Sequence, residues 1–429
     1  MAASVVTDVI WSPLLYQLAV YNDQIFAIEG TRQRSQPVAF CRSQGPEGEL
    51  LIEISKNDIY PELPKYRAAE LNFYLKTLPS GLSFARADSS PARASFYGAD
   101  GQLQFANADE PRFDHNPENG DFLGLLIEGA ATNIAVYSQE LERHGNTKWS
   151  PNEWSAPDGS TTADTLSLLE VDQNESLASI DSSALRSENL SFSFFVKMEN
   201  AADILNLAWR QTDATGSFSR NFDVNSQGVL NATDARWVRA QVIGNGWIRV
   251  LIEAPNRTKL TSVLRLRDFV GQGRFSIWGL QLEESHFATS YIPTENQAET
   301  RGADIANWTV GDWFQDENGT FLVEWSMYNT QSNQDQHVFS GTAANDVTVE
   351  RSSRGDYNVF VNQLRALDQV PVEAGSPYRS AVSYSPQALR GVHNGSLKET
   401  RGSASLRRSE YYQIGRDDLQ PGEFLYGHI

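Results

Sequence analysis

The residues that most often carry chemistry form no catalytic motif in this sequence. It contains no P-loop, dinucleotide-binding fingerprint, nucleophile elbow or zinc-protease helix motif. Its six histidines are scattered, and no two have the spacing of metal ligands on one helical turn. A glycosidase needs two carboxyls about 5 to 10 Å apart, but neighbours such as Glu283 and Glu284, or Asp417 and Asp418, point to opposite faces of a strand. We therefore expect a protein that is not an enzyme.

Aromatic residues indicate a second kind of chemistry, the binding of carbohydrate. Sugar rings stack on Trp and Tyr side chains while nearby polar groups bind their hydroxyls. Trp149, Trp154 and Trp209 lie in or beside polar, loop-like sequence, and Arg210 and Gln211 follow Trp209. These five residues are the candidate carbohydrate face. The alternative is a structural role, because most Trp side chains are largely buried; three others lie within strand patterns and are predicted to be core residues: Trp237, Trp247 and Trp278.

One oxygen-rich loop is a candidate metal site. Its residues are Asp114, Asn116, Glu118, Asn119 and Asp121, and calcium prefers oxygen ligands of this kind. The spacing lacks the EF-hand pattern, and loops of this composition are usually clusters of turns. No cofactor is predicted, and the presence of a structural calcium is left unknown.

Charge and composition argue against several other classes of protein. The 429-residue chain has 35 Lys and Arg against 54 Asp and Glu, a formal net charge of −19. Phosphate backbones and anionic lipid headgroups repel such a chain, so we expect no nucleic-acid or membrane-surface binding. The single cysteine, Cys41, excludes an intrachain disulfide framework. No stretch approaches the roughly 18 apolar residues of a membrane span, and the N-terminus does not resemble a signal peptide.

The elements that must position the candidate residues are predicted to be mainly β strands. Residues 1–80 are predicted to form a small mixed domain, with helical spacing between Ile10 and Ala19 and a strand at residues 50–54. Residues 81–121 are predicted to form a linker with a hairpin whose turn is Ala99-Asp100-Gly101. The fold class is therefore mainly β, with two tandem sandwich domains after the N-terminal region.

Residues 122–305 are predicted to form a jelly-roll-like sandwich, and residues 306–429 a second one. The stretch Leu190 to Met198 alternates apolar and polar positions, and Gly244-Asn245-Gly246 separates two strand candidates. The stretch Arg274 to Glu283 predicts a strand with one face made of Ser276, Trp278, Leu280 and Leu282, and the other of Phe275 and Ile277. The second sandwich is predicted from shorter alternating runs, beginning with Gly319 to Tyr328.

An ordered series of motifs then indicates a family. The series comprises Phe84-Ala85-Arg86-Ala87-Asp88, Ala94-Ser95-Phe96-Tyr97-Gly98-Ala99-Asp100-Gly101, Pro111-Arg112-Phe113-Asp114-His115, Leu125-Leu126-Ile127-Glu128-Gly129-Ala130-Ala131-Thr132-Asn133, Trp278-Gly279-Leu280-Gln281-Leu282-Glu283 and Ala288-Thr289-Ser290-Tyr291-Ile292-Pro293-Thr294. It resembles the linker and opening of a module in tailed-bacteriophage structural proteins, especially tail fibres and other virion appendages. The resemblance covers about residues 81 to 305 and implies a carbohydrate-binding-module-like jelly roll. Residues from about 307 resemble the concanavalin-like, laminin-G-like sandwich that often follows it.

The resemblance implies a structural component of a phage virion, assembled in the host cytoplasm. Such a tail fibre would attach to other virion proteins through its N-terminal region, bind a host-surface glycan and form a homotrimer. Weak single sites would then gain avidity from multivalent display. Two alternatives stay open: a capsid decoration or head fibre, and, less favoured, a polysaccharide depolymerase.

Overall fold

A computed structural model describes the backbone of five strands within residues 1–75 and most of the chain beyond them. The described residues are 16–21, 24–29, 38–44, 50–54, 66–68, 76–86, 94–183, 185, 187, 189–213, 216–232, 237–255, 261–311, 314, 317, 319–327, 335–342, 347–352, 356–361, 364–373, 375–386, 388–393, 396–401, 409–416 and 427–429. Among these residues, two short 3-10 helices lie at Leu141–His144 and Gly244–Gly246. No helix among these residues is long and apolar enough to cross a membrane.

The described secondary structure is almost all β, as the sequence predicts. In chain order the strands are β1 (Tyr16–Tyr21), β2 (Gln24–Glu29), β3 (Val38–Gln44), β4 (Leu50–Ile54), β5 (Tyr66–Ala68), β6 (Leu82–Arg86), β7 (Ala94–Tyr97), β8 (Leu103–Ala106), β9 (Phe113–His115), β10 (Phe122–Ile127), β11 (Ala131–Asn133), β12 (Ser150–Trp154), β13 (Ala163–Ser167), β14 (Ser176–Asp181), β15 (Asn189–Met198), β16 (Ile204–Asp213), β17 (Gly216–Asn225), β18 (Gly228–Ala232), β19 (Val238–Val242), β20 (Ile248–Pro255), β21 (Thr261–Val270), β22 (Arg274–Glu283), β23 (Glu299–Arg301), β24 (Asp304–Thr309), β25 (Gly319–Met327), β26 (Gln336–Gly341), β27 (Val347–Arg351), β28 (Asp356–Val361), β29 (Leu364–Pro371), β30 (Pro377–Tyr384), β31 (Ala388–His393), β32 (Ser396–Arg401), β33 (Tyr411–Ile414) and β34 (Gly427–His428).

The chain divides into two units. Residues 85–304 form the central unit, and residues 1–84 with 305–429 form the terminal unit. The predicted boundary at residue 305 lies beside this division. Residues of the predicted linker from 85 onwards belong to the central unit.

The N-terminal region forms a sheet where the sequence predicts a mixed domain. Strands β1 to β5 pair in sequential order, and Tyr16 of β1 lies opposite Glu29 of β2. Leu18 and Ala19, part of the predicted helical spacing, lie in β1; the residues before 16 are outside the described part of the chain. Pairing of β1 with β2 satisfies the backbone groups that a helix would have bonded internally.

The central unit is a β-sandwich. One sheet has the strand order β12-β13-β22-β15-β20-β19 and the other β14-β21-β16-β17-β18. Apolar side chains from both sheets meet in one buried cluster; for example, Phe192 of β15 stacks on Trp209 of β16 with ring centroids 5.6 Å apart. The predicted face of β15 is confirmed, since Leu190, Phe192, Phe194 and Val196 all belong to this core.

A bulge in β22 changes the predicted faces of that strand. Gly279 has φ +66°, and the register between β15 and β22 shifts at this point. Leu280 and Leu282 therefore join Phe275 and Ile277 in the core, while Trp278 lies on the outer side. The predicted grouping of Leu280 and Leu282 with Trp278 is wrong because one extra residue reverses the alternation.

The β7–β8 hairpin packs on the outer side of the six-stranded sheet. Its turn contains Gly101 with φ +73°, in the predicted Asp100-Gly101 turn. Tyr97 and Leu103 of this hairpin join a second buried aromatic cluster with Trp247 and Trp278. Part of the outer surface of that sheet is therefore covered by the chain itself.

The terminal unit holds the second sandwich. One sheet contains β32-β31-β30-β25-β34 in order, and the other contains β29-β28-β27-β26-β33-β24-β6. Phe321 of β25 contacts Phe339 of β26 and Tyr412 of β33, each with ring centroids 5.3 Å apart. Aromatic side chains therefore fill the space between these sheets.

Candidate functional site

Three residues of the motif series, Arg86, Arg112 and Glu128, lie in a buried ion-pair cluster. Its members are Arg86, Arg112, Glu128, Arg301 and Asp304, and every one of these side chains is fully buried. Arg112 lies 2.7 Å from Glu128 and also contacts Asp304. Although burial opposes the charge, Asp304 and Glu128 raise the pKa of Arg112 above its ordinary value. Removing the arginines or the carboxylates would leave the opposite charges buried without ion-pair partners.

Glu128 also connects the motif at residues 288–294 to the cluster through Ser290. It accepts hydrogen bonds from the backbone N–H and the hydroxyl of Ser290 at 2.9 and 2.6 Å. Because these groups are buried and bonded to one another, the cluster binds parts of the central unit together and is not a ligand site. The motif residues in this cluster therefore have a structural role.

Two of the candidate tryptophans lie in the core. The Trp149 side chain is 4% exposed and its indole N–H donates to the carbonyl of Leu177 at 3.0 Å. Trp209 is fully buried against Phe192, and Gln211, two positions along β16, is also fully buried. Trp149, Trp209 and Gln211 are thus buried and do not form an exposed surface; Trp209 and Gln211 occupy alternate positions of β16 and lie on the same side of that strand.

Arg210 lies on the opposite side of β16 from Trp209. It is part-exposed and its guanidinium donates to the hydroxyl of Ser217 at 3.1 Å. The five predicted residues are therefore not brought together. Of the predicted core tryptophans, Trp247 and Trp278 are confirmed as buried, whereas Trp237 is only half-buried.

Trp154 is the candidate that the structure leaves accessible. It is half-buried at the end of β12, where it packs against the outer aromatic cluster. Arg274 and Lys197 approach its ring, with the guanidinium carbon 5.6 Å and the ammonium nitrogen 5.8 Å from the centroid. We define the Trp154 face as Trp154 with its surrounding residues Glu153, Thr165, Lys197, Glu199, Arg274 and Ser276.

The two cations of the Trp154 face differ in their partners. Arg274 is paired with Glu153 at 2.9 Å and with Glu199 at 3.2 Å. Lys197 has no ion-pair partner among the described residues, and burial lowers the pKa of its ammonium group. The face therefore presents one neutralised guanidinium and one uncompensated ammonium beside the same aromatic ring.

Strand register assembles the floor of the Trp154 face. Ser276 of β22 lies opposite Lys197 of β15 on one side and opposite Thr165 of β13 on the other. Directly paired residues place their side chains on the same side of a sheet. The Ser276 hydroxyl is buried and has no hydrogen-bond partner, while the Thr165 hydroxyl donates to Glu153.

The sequence analysis missed Lys197, Arg274 and Ser276. One signal was available: Lys197 is the charged residue on the outward side of an alternating apolar strand. Its position beside Trp154 depends on the order β12-β13-β22-β15, which places residues far apart in sequence side by side. Alternation within one strand carries no information on that order.

Several oxygen atoms of the candidate calcium loop accept hydrogen bonds from backbone N–H groups. Asp114 accepts a hydrogen bond from the backbone N–H of Tyr97 at 2.6 Å, and Asn116 accepts one from that of Glu118 at 2.9 Å. Asn119 likewise accepts one from the backbone N–H of Asp121. Within the described chain no three His, Cys, Asp or Glu side chains are grouped to hold a metal. These contacts are those of a turn cluster.

Asp164 is an ionisable group with an unusual environment. The pKa of its carboxyl is raised to about 7, mainly by burial and in part by the neighbouring Glu142, while two backbone hydrogen bonds act in the opposite direction. The donors of those bonds are the N–H groups of Leu141 and Asn152, at 2.6 and 2.9 Å. Asp164 and Thr165 are adjacent in β13, so the carboxyl points to the side of the sheet away from the Trp154 face.

Comparison with known proteins finds similarity among solved structures alone. No protein-family model and no curated protein matches the chain. Domains LG4-5 of the mouse laminin alpha1 chain are similar at 10% identity over 68% of this chain and 82% of that one, with a TM-score of 0.21. The LG1-3 region of the laminin alpha2 chain is similar at 10% identity, over 58% of this chain and 62% of that one, with a TM-score of 0.22. The chain thus covers less than two thirds of the second structure.

Proposed function

We propose that the protein is a non-enzymatic component of a tailed-phage virion, a tail fibre or related appendage, that binds a host-surface glycan through the Trp154 face. The observation that carries the binding proposal is the accessible Trp154 ring, held at the end of a sheet strand and flanked by charged and hydroxyl groups. Aromatic rings of this kind stack on the apolar faces of sugars, while neighbouring polar groups bind hydroxyls.

The Trp154 face is positioned by rigid elements. Trp154 packs against the buried cluster of Trp247 and Trp278, whose indole N–H groups donate to the Ser155 carbonyl and the Thr162 hydroxyl. A side chain held in this way loses little conformational freedom when a ligand binds, which favours affinity. The face thus combines a fixed aromatic surface with polar groups on four adjacent strands.

The virion assignment is supported by the order of motifs across residues 81–305. In this assignment the N-terminal region binds other virion proteins, and a homotrimer displays several Trp154 faces together. Multivalent display compensates for weak single sites. A capsid decoration or head fibre is the alternative attachment, and labelling purified virions with an antibody against residues 307–429 distinguishes tail from capsid.

Polysaccharide hydrolysis is a second candidate, favoured by one observation. The Asp164 carboxyl has its pKa raised to about 7, in the range useful to a general acid. It lies on the side of β13 away from Trp154, so the binding and acid groups do not share a surface. Release of oligosaccharide from a bound glycan, abolished in Asp164→Asn, would replace the non-enzymatic proposal.

The binding proposal is tested with the full chain and a panel of purified bacterial surface polysaccharides. We expect Trp154→Ala to weaken binding to the recognised glycan by about tenfold, because a stacked ring contributes about 0.5–1.5 kcal/mol beyond its buried area. Trp237→Ala is the matched control, since Trp237 is also half-buried with a guanidinium 5.9 Å from its ring. Equal binding by the Trp154→Ala variant and the unaltered protein would overturn the Trp154 face as the glycan site.

A further inference from the structure

The Trp154 face contains a cation, Lys197, that no carboxylate among the described residues neutralises. Acidic residues exceed basic ones by 54 to 35, so carboxylate partners are abundant. Arg274, on the same face, has two of them, and Lys148 of the same unit has Glu175 at 2.9 Å and Asp172 at 3.4 Å. Lys197 has no ion-pair partner among the described residues.

We propose that the Trp154 face binds an acidic sugar, with the sugar ring against Trp154 and its carboxylate at the ammonium group of Lys197. This inference rests on the proposed function and specifies its ligand class. The ammonium nitrogen lies 5.8 Å from the centroid of the Trp154 ring, so a pyranose stacked on this ring can bring its carboxylate within hydrogen-bonding reach of the ammonium group. A bound carboxylate would supply the opposite charge that Lys197 lacks among the described residues.

The environment of Lys197 is consistent with an incoming anion. The side chain is half-buried, and burial lowers the pKa of its ammonium group. The ammonium of Lys148 shows the contrast, because its hydrogen bond to Glu175 raises its pKa. A carboxylate that approaches Lys197 would raise its pKa again and so oppose the effect of burial. Binding of an anion therefore stabilises the protonated form of Lys197.

Ser276 is the second observation that points to a ligand. Its hydroxyl is buried without a hydrogen-bond partner, and its residue lies directly opposite Lys197 in the sheet. Buried polar groups in folded proteins are nearly always bonded to protein or water. A polar substituent of the sugar, or a water held beneath it, would satisfy this hydroxyl beside the carboxylate.

Arg274 does not compete for the same carboxylate. Its guanidinium is held by Glu153 and Glu199 beside the same ring. A second anion there would meet two carboxylates of the protein, which repel it. The charge pattern therefore orients an acidic sugar with its carboxylate towards Lys197.

The test compares oligogalacturonate and oligoglucuronate with their carboxyl-reduced counterparts, measured by calorimetry on the full chain. We expect binding of an acidic oligosaccharide, at least about tenfold weaker binding of its reduced form, and a similar loss in Lys197→Met. Lys197→Arg should retain most of the binding, because it keeps the charge. Lys148→Met is the matched control and should bind as the unaltered protein does.

The outcomes separate the two proposals. Equal binding of acidic and reduced oligosaccharides that is lost in Trp154→Ala but kept in Lys197→Met would overturn the acidic-sugar inference and leave glycan binding intact. Binding that survives Trp154→Ala, or failure of both these probes and the polysaccharide panel to bind, would overturn the glycan site itself. Unchanged thermal unfolding of Lys197→Met establishes that a loss of binding is not a loss of folding.

Discussion

Arg86 and Asp304, 218 positions apart in the chain, form a fully buried ion pair 3.1 Å long. They are the first and last charged members of the ion-pair cluster in the central unit. Asp304 also accepts from Arg112 and from the backbone N–H of Glu128. The beginning and end of the central unit are therefore joined by charges that have no access to water.

The ion-pair cluster predicts a large stability loss when one cation is removed. In Arg112→Leu, Glu128 and Asp304 lose a buried partner, and we expect the free energy of unfolding to fall by about 3–5 kcal/mol. Urea denaturation followed by Trp fluorescence measures this change. Arg143→Leu is the control, because the Arg143–Glu140 pair is exposed, and its unfolding curve should not move. Equal curves for both variants would contradict the structural role of the cluster.

The bulge at Gly279 predicts that alanine is poorly tolerated there. A Cβ at this position would lie 2.8 Å from the Phe195 ring, on a backbone with φ +66°. Strain and overpacking together should cost about 2–4 kcal/mol. Gly145→Ala separates the two effects, since Gly145 has φ +91° but no atom within 4 Å of the added Cβ; we expect only about 1 kcal/mol there. Similar losses in the two variants would argue against close packing at Gly279.

The contrast between two tryptophans is a third prediction. Trp209→Ala empties a fully buried position against Phe192, and we expect it to destabilise the protein by about 3–5 kcal/mol. Trp154→Ala removes a half-exposed ring and should cost about 1 kcal/mol or less. Thermal unfolding of both variants checks this order. A larger loss in Trp154→Ala would mean that its ring is needed for folding, and the binding test would then require Trp154→Phe.

Asp164 predicts that the stability of the protein falls as pH rises through the weakly acidic range. Its folded pKa of about 7 lies above the ordinary value of 3.8, so the folded state holds the proton more tightly. The resulting stabilisation is fully present below about pH 4 and is lost as pH rises towards 7. The free energy of unfolding of the unaltered protein and of Asp164→Asn, measured across this range, isolates the contribution of this carboxyl.

Glu142 contributes part of the raised pKa of Asp164, after burial. In Glu142→Gln the pH at which this stabilisation is lost should shift downwards, because one cause of the raised pKa is removed. Glu140→Gln is the control: Glu140 pairs with the exposed Arg143 and is not among the groups acting on Asp164. An identical pH profile in Glu142→Gln and the unaltered protein would exclude coupling between the two carboxyls.

Local patterns in the sequence predict much of the β structure. The alternation of Leu190 to Met198 places the core face of β15 correctly, and the Gly244-Asn245-Gly246 connector lies between β19 and β20 as expected. Asn245 adopts φ 61° in that connector, a conformation that Asn tolerates. These features depend on neighbours within a few residues, so a single sequence is sufficient to recognise them.

Tertiary structure decided which of the candidate tryptophans is accessible. Trp149 and Trp154 lie in similar polar sequence, five positions apart, yet one is in the core and the other on the outer side of the sheet. Whether a side chain is buried depends on which sheet packs against it, and polar neighbours in the sequence do not indicate this. The same holds for Trp209: its sequence neighbours Arg210 and Gln211 are polar, yet its side chain lies in the core.

The sequence by itself determined the fold class, the turns and the alternating faces, because strand periodicity and turn chemistry act over a few residues. Tertiary structure decided the partners: the joining of Arg86 to Asp304, the reversal of faces at Gly279, and the placing of Lys197 beside Trp154. Each of these depends on strand order and register between segments far apart in the chain. The buried charges find partners across that distance, whereas Lys197 has no ion-pair partner in the part of the chain that the structure describes, and this difference exists only in the folded protein.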